Sequence, residues 1–277
     1  MLGPVGVRLR HDTERASKET VGLDPLTEVE RAYGPAHPKA GYAHIGLAYA
    51  ELGATTSPGI ERFRTARRIL ADALGPDSIG VAAADDGGAM ALLLAGRADE
   101  AQAPAERALR ITETSYGPDH PETARALRRV ADVHRAQRRF ADAKRSTERA
   151  LAVFERVQGS QSPDARSQRL ALAQVEIELG NPERGRALLE ALIETAPGAA
   201  PTATEPRALA VLGGLQLPAE PSTAAATLSS ALELGADRLP NAELEALRVD
   251  LARARDLAAG PLSQTGGPAV METVSPR

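Results

Sequence analysis

Residues Gly117–Pro121 read GPDHP and separate two segments that have the apolar spacing of amphipathic helices, Glu106–Tyr116 and Glu122–Gln137. Related stretches recur along the chain: GPAHP from Gly34, GPDS from Gly75 and GSQSP from Gly159. The four glycines that open these stretches are separated by 41, 42 and 42 residues. A fixed period of this length is the signature of a repeat protein, in which each unit packs only on its neighbours.

Composition favours a soluble, all-α class. Of the 277 residues, 43% are hydrophobic and only 3% aromatic, so the core is built from Ala, Leu, Val and Ile, as in closely packed helix pairs. The net charge of −4 provides no general attraction for nucleic acid or for an anionic membrane. We therefore expect neither nucleic acid nor a membrane as the partner.

The residue usage also bears on origin and compartment. Three lysines stand against thirty arginines, which together with the many alanines is typical of GC-rich bacterial coding. Cysteine is absent from the sequence, so disulfide and thiolate chemistry are excluded. The first twenty residues lack the apolar core of a leader, and no apolar run approaches the roughly 18 residues of a spanning helix. A cytoplasmic location is the expectation.

Periodicity and turn residues divide the chain into five segments. Residues 1–20 lack periodicity and are predicted to be flexible. The other segments are a partial repeat at 21–34, four helix-pair repeats at 35–197, a degenerate repeat with a capping helix at 198–259, and a disordered tail at 260–277.

The partial repeat ends in the same Tyr-Gly pair as the second helix of a full repeat, but its pairing helix is missing. An apolar stripe of Leu26, Val29 and Tyr33 is then left uncovered, unless residues 1–20 or a second chain cover it. The sequence therefore predicts a possible homo-oligomer through this segment.

Small residues mark fixed offsets within each repeat. Ala89, Leu92, Gly96, Ala101, Ala105 and Ala108 follow one another at intervals of 3, 4, 5, 4 and 3, and the same intervals recur from Ala131 to Ala150. This pattern resembles the tetratricopeptide repeat (TPR). The 42-residue period, the GPDHP linker and the turn at Gly96–Ala101 resemble its kinesin-light-chain-like branch. The sequence departs from that pattern at Arg138, where the turn normally has glycine, and at three glycines in the first helix of the second repeat.

The resemblance implies a right-handed superhelical α-solenoid of antiparallel helix pairs, with four to five repeats and a C-terminal capping helix. It also implies that a peptide or a partner helix binds in a concave groove lined by the first helix of each repeat. The groove positions so implied are Arg125, Arg128, Arg129 and Arg135 in the third repeat, with Met90, Leu94, Leu47 and His44 in the repeats before it.

Four arginines on one helix suit an acidic or phosphorylated partner segment, with the apolar residues receiving an anchor side chain. In this interpretation Arg128 and Arg129 are both exposed. The alternative is an ordinary solvated arginine face.

No catalytic, metal or cofactor motif emerges. His37 and His120 lie in the linker, where turn and cap chemistry explains them better than metal binding. Asp85-Asp86-Gly87-Gly88 lacks the Lys-Ser/Thr of a phosphate loop and lies inside a helical pattern. We therefore expect neither an enzyme nor a cofactor.

Three functions stay open. The first is a protein-binding scaffold, and the second is the C-terminal regulatory or sensor module of a larger signalling protein, such as a Ser/Thr kinase or a switch ATPase. The third, an enzyme or a DNA-binding pheromone receptor, needs a catalytic motif or a helix-turn-helix before the repeats. Genomic neighbourhood distinguishes the first two.

Overall fold

The computed structural model describes residues 25–52, 56–194 and 202–259, and within them it contains twelve α-helices and no strand. In chain order the helices are α1 (Pro25–Tyr33), α2 (Pro38–Glu51), α3 (Thr56–Leu74), α4 (Ile79–Leu94), α5 (Ala98–Tyr116), α6 (Pro121–Ala136), α7 (Phe140–Gln158), α8 (Pro163–Glu178), α9 (Pro182–Glu194), α10 (Thr204–Gln216), α11 (Pro221–Gly235) and α12 (Asn241–Ala259). The predicted all-α fold is confirmed. The predicted flexible N-terminus and disordered tail lie outside the described residues.

The GPDHP linker ends one helix and starts the next by local chemistry. Gly117 has φ +89°, a left-handed conformation that stops α5, and Pro121 is the first residue of α6. The Nδ1 atom of His120 accepts a hydrogen bond from the backbone N–H of Glu122 at 3.1 Å, and Tyr116 stacks on the imidazole at 4.6 Å. The predicted cap role of this histidine is confirmed.

The linker before α2 repeats that arrangement. His37 Nδ1 accepts from the backbone N–H of Lys39 at 3.2 Å, and the Tyr33 ring stacks on His37 with 5.1 Å between ring centroids. One Tyr-Gly-Pro-x-His-Pro sequence therefore builds the same turn twice.

The helices form two compact units, one up to Gly185 and one from Arg186 onward. In the first unit, consecutive helices pack as repeats: α2 with α3, α4 with α5, and α6 with α7. The start of α9 packs on α8, since a Cβ at Gly185 would lie 2.5 Å from the Ile177 side chain and 3.0 Å from the carbonyl oxygen of Ala173. These contacts join the helices that the sequence grouped into the first, second and third repeats and into the start of the fourth.

The glycines of α4 serve packing. A Cβ on Gly87 would lie 2.2 Å from the ring of Phe63, which is buried on α3. Glycine here lets an aromatic ring approach the helix backbone. The cost of placing glycine inside a helix is thus offset here by a close helix contact.

In the second unit, α11 packs against both α10 and α12. Leu228 of α11 and three leucines of α12, Leu244, Leu247 and Leu251, are buried together. Arg207 also holds Glu243 through two hydrogen bonds of 2.8 Å, which tie α10 to α12. Across all described helices, none combines the length and apolarity that crossing a bilayer requires.

Candidate partner-binding face

The first helices of the first three repeats lie side by side, because α4 packs against α2 and against α6. The second helices are joined across repeats by long side chains: Arg64 lies 3.7 Å from Glu100, and Arg149 lies 2.6 Å from Glu113. We call the surface of α2, α4 and α6 that faces away from their paired helices the inner face.

Counting from the first residue of each first helix places Tyr49, Met90, Asp132 and Gln174 at equivalent twelfth positions. The sequence-based alignment instead placed His44 and Leu47 of α2 in the groove. On that side of α2, Glu51 accepts a hydrogen bond from Arg62 of the paired helix α3 at 2.6 Å. His44 and Leu47 precede Glu51 by seven and four residues, so they share its side of the helix.

Tyr49 was not among the sequence-based groove positions, although the helix start at Pro38 was a usable signal. Tyr49 meets Phe63 edge-on at 5.1 Å and keeps 44% of its surface exposed. Burial and the nearby Asp86 carboxylate raise the pKa of the Tyr49 hydroxyl to about 12. The Arg129 and Arg128 guanidinium groups lower this pKa, but by less. Its hydroxyl is thus within electrostatic reach of α4 and α6.

Arg129 is not the exposed residue that the sequence suggested, since only 8% of its surface is accessible. Its Nε lies 3.2 Å from Asp86 on α4, and its Nη1 lies 3.5 Å from Asp132 on α6. Burial opposes its charge, but the Asp86 and Asp132 carboxylates outweigh burial and raise the pKa of Arg129. Arg129 is therefore a buried link between the second and third repeats.

Two further arginines of α6 are already paired within the chain. Arg125 bonds to Glu122 one turn earlier and lies 3.4 Å from Asp164 of α8. Arg135 donates to Glu178 of α8 at 3.1 Å. Both remain partly exposed, so a partner carboxylate would have to compete with these acids.

Arg128 differs from the other three. It lies half-buried on the inner face, and within the described part of the chain it forms no ion pair or hydrogen bond. Its charge nevertheless acts on Tyr49 and on Asp132. A guanidinium in this position has its donors available for an incoming carboxylate or phosphate.

Apolar residues lie on the side of α4 that carries Asp86, the partner of Arg129. Met90 and Leu94 follow Asp86 by one and two helical turns and therefore share its side of the helix. Leu94 is 60% exposed and Met90 is half-buried. The inner face thus presents Tyr49, the apolar side chains of Met90 and Leu94, and the guanidinium of Arg128, which has no ion pair among the described residues.

The acidic pair in α4 has structural partners. Asp85 is buried and receives two hydrogen bonds from Arg107 of α5, at 2.6 and 2.7 Å. Burial still raises the pKa of Asp85 above its ordinary value, although Arg107 opposes it. This stretch is helical, as predicted. Among the described residues, His, Asp and Glu form no group of three that could hold a metal ion.

These features define an α-helical repeat protein in which the first helices of the first three repeats, α2, α4 and α6, lie side by side. Residues 88–156 match the tetratricopeptide repeat family. The predicted resemblance to kinesin-light-chain-like TPR proteins is confirmed by this match and by the fold. The bacterial origin stays a prediction.

Three solved structures share the fold. BtubC (BKLC) from P. vanneervenii has a TM-score of 0.59 at 16% identity, covering 98% of this chain and 100% of that chain. The TPR-like repeats of a Podosopora anserina kinesin light chain have a TM-score of 0.57 at 18% identity, covering 79% and 98%. Aspartyl phosphate phosphatase F from Bacillus subtilis has a TM-score of 0.54 at 14% identity, covering 82% and 62%. No curated protein sequence matches the chain. TPR folds typically serve as non-catalytic scaffolds for protein partners.

Proposed function

We propose that this protein is a non-catalytic scaffold that binds a peptide or helix of a partner protein along the inner face. An acidic or phosphorylated side chain of the partner pairs with Arg128, and an apolar side chain packs against Met90 and Leu94. The observation that carries the proposal is the availability of Arg128, the only arginine of this α6 set without an ion pair in the described chain.

Desolvation supports a role for Arg128. A half-buried guanidinium loses part of its hydration when the chain folds, and a bound carboxylate restores its hydrogen bonds. Hydrogen bonds to charged groups contribute about 1.5–3 kcal/mol, which corresponds to roughly tenfold or more in affinity. Tyr49 adds a rigid aromatic surface of the kind that is enriched in binding hot spots.

A defined peptide array tests the proposal. Synthetic peptides carry one apolar residue and one glutamate at varied spacing, with matched sets that have glutamine or phosphoserine instead of glutamate. Fluorescence anisotropy with the full chain should show that some glutamate or phosphoserine peptides bind at least about tenfold more tightly than their glutamine counterparts. This preference should weaken as salt rises, because the charges are screened.

Substitution then locates the site. Arg128→Ala should remove the preference for acidic peptides. Arg145→Ala should retain it, because Arg145 pairs with Asp142 on its own helix α7. If no peptide binds, or if the preference survives in Arg128→Ala, the inner face is not an acidic-segment site.

The regulatory-module alternative stays a prediction. It would use the same binding face inside a longer signalling protein. A kinase or ATPase reading frame continuous with this one, found by transcript sequencing, would favour it. An independent transcript would favour the free-standing scaffold.

A further inference from the structure

Two tyrosines stand on the inner face of α2. Tyr42 and Tyr49 are seven residues apart, which places them on the same side of the helix, and Gly46 lies between them on that side. We call Tyr42 and Tyr49 the tyrosine pair. Between Lys39 and Glu51 the helix contains no Asp, Glu, Lys or Arg, so this surface is aromatic and uncharged.

Both rings are held by neighbouring helices, and the space between them is open. Tyr49 meets Phe63 of α3 edge-on at 5.1 Å. The Tyr42 hydroxyl lies beside the start of α4, since a Cβ on Gly80 would be 2.8 Å from it. Gly46 is exposed, and no side chain beyond its chain neighbours comes within 4 Å of the place that a Cβ would take there. The two rings therefore flank an open gap over a glycine.

The two hydroxyls are available as hydrogen-bond donors. Burial raises the pKa of both tyrosines, that of Tyr49 to about 12, so both hydroxyls stay protonated at neutral pH. Neither hydroxyl has a hydrogen-bond partner among the described residues. The charges of Asp86 and Arg128 act on Tyr49, which makes the tyrosine pair continuous with the surface around Arg128. A bound chain with free carbonyl oxygens would use both donors.

The spacing of the pair favours one conformation of a bound chain. Seven residues of α-helix advance about 10.5 Å. In the polyproline II conformation, residues three apart point the same way and lie about 9.3 Å apart, whereas same-side residues of a β-strand lie about 6.8 or 13.6 Å apart. Polyproline II also leaves its carbonyl oxygens without internal hydrogen bonds, and its prolines dock on aromatic surfaces. A proline segment thus matches the pair in spacing, polarity and hydrogen bonding.

We propose that the tyrosine pair binds a proline-rich segment of the partner in the polyproline II conformation, with one proline on each ring and the backbone of the segment over Gly46. This inference rests on the proposed scaffold function and adds a second recognition element beside the acidic side chain at Arg128. The segment needs no charge, because α2 has no charged residue between the two tyrosines.

Fluorescence anisotropy with the full chain tests this inference. The probes are labelled peptides without acidic or basic side chains that carry two prolines three residues apart. Matched peptides have the prolines two or four residues apart, or replaced by alanine. We expect the three-residue spacing to bind at least about fivefold more tightly than each matched peptide. Arg128→Ala should retain this binding, so failure of the acidic site and failure of the proline site are distinguishable.

Substitutions then locate the peptide. Gly46→Gln places a side chain in the gap and should weaken binding about tenfold or more, with an equal or higher thermal midpoint because glycine is a poor helix former. Gly214→Gln in α10 is the matched control, since the surroundings of Gly214 are equally open, and it should leave binding unchanged. Tyr49→Phe keeps the ring beside Phe63 and should weaken binding about threefold to tenfold through loss of one hydrogen bond.

Four outcomes overturn the proposal: no preference for the three-residue spacing, unchanged affinity in Gly46→Gln, unchanged affinity in Tyr49→Phe, or loss of binding in Arg128→Ala. Circular dichroism of each variant establishes that the helices remain folded. A helix-forming peptide with leucines seven residues apart probes the competing occupant, because that spacing also spans about 10.5 Å. If it binds more tightly than the proline peptide and Gly46→Gln removes its binding, the pair receives a helix and the proposal is wrong.

Discussion

The guanidinium Nε of Arg129 lies 3.2 Å from the carboxylate of Asp86, which precedes it by 43 residues. This distance in sequence is one repeat, so the pair joins the first helices of the second and third repeats. Its burial distinguishes Arg129 from the other arginines of α6. The helix therefore carries one arginine that holds repeats together, and we propose that another, Arg128, binds the partner.

Arg129→Gln should destabilise the fold, because it leaves Asp86 and Asp132 without their cation. Removing one partner of a fully buried pair costs about 3–5 kcal/mol, and the partial exposure of the two carboxylates reduces this to about 1–3 kcal/mol. Urea denaturation followed by circular dichroism measures the loss. Arg145→Gln, which removes an exposed pair within one helix, should change stability by less than about 0.5 kcal/mol. Equal urea midpoints for Arg129→Gln and Arg145→Gln would contradict the assignment of Arg129 as a buried link between repeats.

Arg138→Gly should stabilise the third repeat. Arg138 has φ +60°, where the equivalent turns have Gly96 at +72° and Gly180 at +86°. The left-handed region costs a non-glycine residue about 1–2 kcal/mol, and the greater freedom of glycine in the unfolded chain offsets about 0.5–1 kcal/mol of that gain. We expect the free energy of unfolding, measured by thermal denaturation, to increase by about 0.5–1 kcal/mol, whereas Gly96→Ala should lower it. A lower midpoint for Arg138→Gly would show that the arginine side chain stabilises the turn.

His120→Ala should lower stability by about 1–2 kcal/mol, because it removes the N-cap of α6 and the stacking surface for Tyr116. His120→Asn separates the two effects, since asparagine is a good N-cap but stacks poorly. Its thermal midpoint should fall between those of His120→Ala and the parent chain. The matched series at His37 should show the same order. If His120→Asn has the same thermal midpoint as His120→Ala, the N-cap hydrogen bond contributes little to stability.

His134 should make the fold sensitive to mild acid. Burial first, and Arg139 second, lower the pKa of His134 below its ordinary value, although Asp142 and Glu106 partly oppose them. Folding thus favours the neutral ring. The stability that neutral His134 contributes is fully present above the pKa of about 6.5 that the ring has in the unfolded chain. It is lost as the pH falls through the lower pKa of the folded state.

His134→Gln should accordingly flatten the dependence of the unfolding midpoint on pH between about 7 and 5. Arg248→Gln, which removes an exposed ion pair within α12 and leaves every histidine in place, serves as the control and should retain the slope of the parent chain. Parallel curves for the parent chain and His134→Gln would exclude a role for this histidine.

Self-association through α1 stays a prediction from the sequence. α1 has no buried residue, Val29 is half-buried, and Tyr33 is 50% exposed beneath the Lys39 ammonium. Sedimentation velocity should show a concentration-dependent dimer that Val29→Asp weakens. Val157→Asp, at a half-exposed valine of α7, should leave the dimer intact. A parent chain that sediments as a monomer at high concentration would contradict this prediction.

The helices and their ends were predictable because their signals are local. Gly117 and Pro121 stop and start helices through their own backbone preferences, and His120 caps a helix only two residues away. The inner face of α2 was less predictable. The first linker spacing is one residue shorter than the next two, and a small error in register turns a helix by more than a quarter of a turn. The sequence-based positions in α2 were therefore His44 and Leu47, and Tyr49 was not among them.

The sequence by itself determined the repeat period, the all-α class and the placement of four arginines on α6. Only the tertiary structure decided which of them are available to a partner. Their partners, Asp86 on α4 and Asp164 and Glu178 on α8, lie about one repeat away, and their distances depend on how each helix is rotated against the next. Ion pairing needs oppositely charged atoms within a few ångströms. Spacing along one helix determines which arginines share a face. Packing between repeats determines that Arg129 is buried and that Arg128 has no ion pair among the described residues.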